Sequence, residues 1–291
     1  MDKVIITTFT DPMMGLSYEC EPIFRKLETH FKDRIEFRYK MGGLVRSVYD
    51  LVDPRDLSKG KETAIKNYNV RLAKIYESEE AIMGMPINMT DFHLFSTGHT
   101  SSIPLNLAYK AVQLAENEKA DLFLYNLRYA TIVDCRPTTH LDEILEAVRK
   151  TNIDTEIFLN YYNNGMAQSE LEKDLQMGYE MGIRSLPAYL IQYGGKAMLI
   201  QSLIGYNAFA EAIEKITDGE VKPQKVTQTT EALRKLINAH PLISPIEIRE
   251  ALDFDSIEEV REFVEPLLDS KEIEIEKVYH GWFIQKTEEL K

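Results

Sequence analysis

Residues 4–22 read VIITTFTDPMMGLSYECEP, and the reading of this stretch decides the fold. Val4–Thr8 is a short β-branched run, which predicts a buried strand. The Asp11-Pro12 pair ends it at a turn, because proline cannot donate to a ladder and aspartate caps its own backbone. Beyond the turn, Ile23, Phe24, Leu27 and Phe31 recur at three- and four-residue spacings, which predicts one helix from Tyr18 to Phe31 with a single apolar face. Arg34–Tyr39 (RIEFRY) then alternates charged and apolar residues with period two, the pattern of a second strand. The first forty residues therefore read β-α-β.

Working outward, the strand pattern stops near residue 55 and helical periodicity replaces it. Separate helices are predicted over Lys61–Glu79, Leu105–Glu116, Ala120–Ile132, Leu141–Thr151, Glu156–Tyr162 and Ser169–Met181, the last ended by Gly182. Ala188–Tyr193 and Ala197–Ile200 are short apolar runs around Gly194-Gly195, a hairpin signal, and Ala208–Ile216 closes the unit as a helix. The predicted fold class is α/β, with the helical block of about 55–182 inserted between β-α-β and β-β-α within residues 1–217. Residues 218–230 (DGEVKPQKVTQTT) are polar and aperiodic and predict a linker. Ser244-Pro245-Ile246-Glu247 and Ser256-Ile257-Glu258-Glu259 both carry the capping-box pattern. With Glu272–Val278 and Trp282–Gln285 alternating around His280-Gly281, residues 231–291 predict a small winged-helix-like domain.

Composition narrows the function. Thirty-four Lys and Arg stand against 47 Asp and Glu in 291 residues, a net charge of −13. Nucleic-acid binding draws its affinity from clustered basic residues, so a nucleic-acid partner is not expected. The winged-helix-like domain is no exception. Its Ser256–Asp269 helix has a net charge of −4, and Ser244–Lys291 holds six Lys and Arg against fourteen Asp and Glu. A protein-contact role suits it better than a groove in DNA. No apolar run approaches the roughly 18 residues of a membrane span, and residues 1–12 lack the apolar core and cleavage site of a secretory signal, so a cytoplasmic protein without a membrane partner is expected. Cys20 and Cys135 are too few for a disulfide framework. His93, His99 and Asp91 lack the spacing of a metal site, and no metal is expected.

Four blocks in order, Thr8–Pro22, MGGLV at Met41–Val45, SSIPLNLAYKAVQLA at Ser101–Ala115 and GIRSLPAYLI at Gly182–Ile191, resemble the DsbA superfamily in its FrnE-like branch of dithiol-disulfide oxidoreductases and isomerases. The resemblance implies a thioredoxin-like fold with an inserted helical domain. It also implies a C-x-x-C motif after the Asp-Pro turn, and those two positions are Met14 and Ser17. A thioether has no proton to lose and a hydroxyl forms no disulfide, so neither residue supports thiol exchange. Cys20 sits three residues further on, away from the helix N-terminus that would lower a thiol pKa. No catalytic residue is therefore expected with certainty, and Cys20 is an outside candidate. The kappa-class glutathione transferases and related isomerases share the fold with Ser in place of the first Cys; Tyr18 matches their pattern, but Met14 and Gly15 do not, and glutathione is a weak cofactor expectation.

The Leu186-Pro187 step resembles the family's cis-proline segment, which offers backbone to an extended substrate. A peptide edge kept while the thiols are lost predicts binding without chemistry. The expected site is an apolar peptide groove of Met13, Met14, Gly15, Leu16 and Tyr18 facing Leu186 and Pro187. A DsbA-like unit followed by a small domain with Lys277, Val278, His280, Gly281 and Phe283 in its tail is also similar to the Spx adaptor branch, which delivers a regulator to the ClpXP protease. The expected function is thus a cytoplasmic protein- or peptide-binding adaptor, with family-type thiol-disulfide exchange or glutathione-dependent chemistry as the alternative.

Overall fold

The computed structural model describes residues 2–287; the last four residues of the predicted C-terminal domain lie outside them. Strand β1 (Val4–Thr10) runs into the Asp11-Pro12 turn, followed by α1 (Gly15–Glu19), α2 (Glu21–Phe31) and β2 (Ile35–Met41). The single helix expected from Tyr18 to Phe31 is two helices that meet at Cys20. Pro22 is the physical reason: it lacks the N–H that would bond back to Tyr18. The insertion holds α3 (Pro54–Leu57), α4 (Lys61–Glu79), α5 (Ile103–Glu116), α6 (Ala120–Ile132), α7 (Leu141–Arg149), α8 (Thr155–Asn163) and α9 (Met166–Glu180). Strands β3 (Ala188–Tyr193) and β4 (Lys196–Ile200) form a hairpin through Gly194 and Gly195, both at positive φ, and α10 (Tyr206–Ile216) follows.

The four strands share one sheet in the order β2-β1-β3-β4, with β1 parallel to β2 and antiparallel to β3. Period two along the strands sends side chains to opposite faces. Val4, Ile6, Tyr189 and Ile191 pack with α2 and α10 around Phe24 and Phe209. Phe9, Ala188 and Leu190 face the other way, against Met177 and Met181 at the end of α9. The largest apolar cluster lies in the insertion, built on α4 to α9.

The C-terminal part comprises α11 (Thr230–Ala239), β5 (Leu242–Ile243), α12 (Pro245–Leu252), α13 (Ile257–Asp269), β6 (Ile273–Val278) and β7 (Gly281–Lys286). Its sheet order is β5-β7-β6, and the two-residue β5 is too short for a periodicity reading to detect. The Ser244 capping box forms in full. The second one does not: Ser256 accepts from the N–H of Glu259, but the Glu259 carboxylate turns to the N–H of Asp255 at 3.2 Å.

This C-terminal part is packed onto the rest of the chain. Ile246 and Phe283 belong to the insertion's apolar cluster, and the Phe283 ring meets Tyr129 edge-on at 4.9 Å. Helix α12 lies along α2, where Thr29 Oγ1 donates to the Ala251 carbonyl at 2.7 Å and Lys26 Nζ stands 2.9 Å from Asp253. Gly281 is required by proximity, since a Cβ there would lie 2.7 Å from the Pro86 ring.

Candidate functional site

The Asp11-Pro12 turn is built around a buried carboxylate. Asp11 accepts from the N–H of Met13 (3.1 Å), the N–H of Leu44 (2.7 Å), Ser102 Oγ (2.8 Å) and Asn106 Nδ2 (2.8 Å). Burial pushes its pKa up, and these donors pull against the shift. The sequence blocks around residues 41–45 and 101–106 therefore meet at one residue, and together they fix the entry to α1. The Ser102 N–H (2.8 Å) and Ser101 Oγ (2.9 Å) both donate to the Val45 carbonyl, which locks the loop after β2 to the start of α5.

From Thr10 a second buried network runs under α1. Thr10 Oγ1 donates to Ser17 Oγ at 2.7 Å and accepts from Arg128 Nη2 at 3.0 Å. Arg128 pairs with Glu21 at 2.6 Å, Glu21 with Arg25 at 2.8 Å, and Arg25 with Glu247 of α12 at 3.4 Å. Tyr125 donates to Glu247 at 2.6 Å. Ser17 is thus the terminal acceptor of an interior polar chain and is buried. A hydroxyl so engaged is part of the packing, not a free nucleophile.

The expected open groove is closed. Met13, Met14, Gly15 and Tyr18 are buried, Met14 at 6% exposure, and only Leu16 and Leu186 of the expected set keep partial exposure. The cover is the C-terminal end of α4. Tyr76 donates its hydroxyl to the Met13 carbonyl, and a Cβ on Gly15 would lie 2.0 Å from Glu79 Oε2 and 2.6 Å from the Tyr76 ring. Tyr18 donates to the Pro86 carbonyl at 2.9 Å, securing the loop after α4. Helical periodicity identifies α4 but says nothing of where it docks, so Tyr76 and Glu79 escape a sequence reading.

Two acids lie at this junction, Glu79 on the cover and Glu19 on α1. Desolvation raises the Glu79 carboxyl to about 7. It raises Glu19, one turn beyond Gly15, to about 8, against backbone N–H groups at Met83, Met85 and Gly84 that favour its charged form. An unfolded glutamate titrates near 4.5, so between those values the folded chain holds more protons than the unfolded one. The stabilisation is complete below about pH 4.5 and is lost as pH rises through about 8. Glu247, raised by desolvation to about 7, acts in the same direction. Glu28 acts oppositely: desolvation works against it, yet His240 and Arg25 hold it near 2, so its contribution is lost only in strong acid. Chemical denaturation at pH 5 and pH 8 is expected to show lower stability at the higher pH. Glu19→Gln should flatten that difference; a slope unchanged by the substitution would remove Glu19 from the account.

Cys20 is fully buried at the junction of α1 and α2, with Sγ 3.4 Å from the Tyr189 hydroxyl. Desolvation pushes its thiol up to about 12, with the Tyr189 hydrogen bond pulling down. Cys135 lies between α6 and α7 at φ 55° with Sγ 3.1 Å from the Thr90 carbonyl, and desolvation raises it to about 11. Both are free. Native-state alkylation with iodoacetamide is expected to spare Cys20 until denaturant is added, and rapid labelling of Cys20 in the native protein would refute this description of its surroundings.

The Leu186-Pro187 bond is cis. Leu186 packs over Gly42, where a Cβ would lie 2.5 Å from Leu186 Cδ1, and the Gly42 N–H donates to the Thr10 carbonyl at 2.7 Å. The step thus stands beside the end of β1, with Arg184 and Ser185 exposed before it. Among the described residues no cluster of three His, Cys, Asp or Glu side chains is arranged to hold a metal. His99 instead stacks on His140 at 3.6 Å, and His93 Nδ1 bonds to the Asp91 carbonyl. Among the same residues, no helix is long and apolar enough to cross a membrane.

The parallel β-α-β start, the helical insertion and the cis-proline hairpin define a thioredoxin-fold protein of the DsbA type, here without the two motif thiols. Residues 7–204 match the family model described as Thioredoxin, and the chain belongs to that family. Its resemblance within the DsbA superfamily is to the SpxH branch. The ClpXP adapter protein SpxH of Halalkalibacterium halodurans is 21% identical over 96% of this chain and 87% of the relative, and that of Shouchella clausii is 22% identical with the same coverage. Among solved structures, a Nitrosomonas europaea protein assigned to the disulfide isomerases matches with TM-score 0.61 and 15% identity over 75% of this chain and all of the other. The cytosolic disulfide reductase DsbM of Pseudomonas aeruginosa matches with TM-score 0.52 and 15% identity over 72% and 98%. At such identities these two bear on the fold alone.

Proposed function

We propose that the chain is a cytoplasmic adaptor that binds a polypeptide client and presents it to a ClpXP-type protease, without dithiol chemistry. The observation that carries this reading is the closure of the motif: Met14 and Ser17 stand where thiols would be needed and are buried, and Tyr76 and Glu79 of α4 pack against the neighbouring Met13 carbonyl and Gly15. A site sealed by packed side chains is suited to holding shape, not to admitting a disulfide. The full-length similarity to the SpxH proteins, which spans the C-terminal part as well, supports the same reading. Leu16 and Leu186 are the members of the expected peptide-binding set that reach the surface, and the backbone beside Pro187 is the natural place for an extended client segment. Contact with Met13, Met14 or Tyr18 requires α4 to move.

Immobilised protein incubated with native cytosol is expected to retain a ClpXP subunit or a client of that protease. Insulin reduction and scrambled-ribonuclease refolding should both match buffer. Thiol-exchange activity that disappears in Cys20→Ser would overturn the reading and restore an enzyme.

A further inference from the structure

The sheet has an open edge inside a groove. Strand β2 is terminal in the order β2-β1-β3-β4, and its hydrogen-bonding groups alternate in direction. The Gly42 N–H turns inward to the Thr10 carbonyl of β1, whereas the Met41 N–H turns outward to Asp174 Oδ2 at 3.0 Å. By that alternation the N–H and C=O groups of Phe37 and Tyr39 also point away from β1. They open onto a cavity of about 510 Å3 bounded on its far side by Tyr109, Gln113 and Leu114 of α5 and by the turn at Asn117.

We infer that this edge is a strand-addition site for an extended peptide segment carrying basic side chains. Four outward backbone groups at Phe37 and Tyr39 supply the pairing. The charges of the groove choose the side chains. Its cations have acidic partners: Arg38 pairs with Glu36 at 2.7 Å, and Lys40 and Lys110 share the single buried Asp174, each at 2.7 Å. The groove is lined by Glu36, Glu118, Asp121 and Glu170, with Asp174 beneath, against Arg38, Lys40 and Lys110, and Glu118 is exposed without an ion pair among the described residues, so the balance is negative and complements Lys or Arg. Helix α5 and Glu170 of α9 line the groove beside the strand. The site is distinct from the covered motif and stands whether or not the chain is an adaptor.

The test uses the full chain and a synthetic hexapeptide, acetyl-Lys-Val-Thr-Val-Arg-Val-amide, with a version carrying Glu at both basic positions as control. Amide exchange of Phe37 and Tyr39, followed by NMR, is expected to slow at least tenfold on adding the basic peptide and to stay unchanged with the acidic one. Glu118→Lys, a surface change, should weaken the basic peptide's binding at least fivefold. Unchanged exchange at both amides, or equal effects of the two peptides, would overturn the proposal. Protection that grows with protein concentration in the absence of peptide would also overturn it, in favour of edge pairing between two copies.

Discussion

Arg128→Met is expected to destabilise the protein by about 3–5 kcal/mol, because it leaves an acidic partner in the interior without its counter-charge. Arg128 is fully buried, its guanidinium bridging Glu21 and Thr10 beneath α1. Methionine replaces its aliphatic stem but supplies neither the charge nor the donors. Arg25 also reaches Glu21, at 2.8 Å, yet it is shared with Glu28 and Glu247 and cannot compensate fully. Guanidinium chloride unfolding at pH 7 measures the loss. The double variant Arg128→Met with Glu21→Gln should recover a large part of it, since removing both charges costs less than stranding one. A single-variant loss below about 1 kcal/mol would mean that Glu21 is satisfied by Arg25 alone.

Asp11→Ala is expected to cost roughly 3–5 kcal/mol, for a different reason. Four donors, from Met13, Leu44, Ser102 and Asn106, converge on that carboxylate. Alanine would leave them buried without an acceptor, each unsatisfied group costing about 1–3 kcal/mol before relaxation. The effect should be local in its pattern. Amide exchange at Leu44 should accelerate more than exchange in β3, because the Leu44 N–H loses its partner while the β1–β3 ladder keeps its own. Asp11→Asn, which retains one acceptor oxygen, should fall between the native protein and the alanine variant. Equal stability of all three would show that the turn is held by other contacts.

The sheet and the loss of the two motif thiols were legible because each rests on local rules. Period-two alternation at Arg34–Tyr39, the β-branched run at Val4–Thr8 and the Gly194-Gly195 turn specify strands and a hairpin by backbone preference alone. Met14 and Ser17 exclude thiol exchange by their functional groups, whatever surrounds them. The break at Cys20 was legible in principle, since Pro22 lacks the N–H that a continuous helix needs, but the strong apolar face from Ile23 to Phe31 masked it. Similarly, the second capping box has the right residues, and only the competing N–H of Asp255 diverts Glu259.

What the motif faces was a matter for tertiary structure. Met13, Met14 and Tyr18 were candidates for an apolar peptide groove because they stand at the motif positions that face the cis-proline segment, where Met suits an adaptable binding surface. Packing of α4, some sixty residues downstream, buried them instead through Tyr76 and Glu79. The same holds for the C-terminal part: its helices follow from capping and periodicity, whereas its docking along α2 depends on Arg25, Thr29 and Lys26 meeting Glu247, the Ala251 carbonyl and Asp253. Local propensities and functional groups are properties of short stretches, so the sequence by itself determined the four strands of the main sheet, most of the helices and the absence of the two motif thiols. Burial, carboxyl pKa and the accessible edge of β2 depend on which distant segments share a space, and only the folded chain decides that.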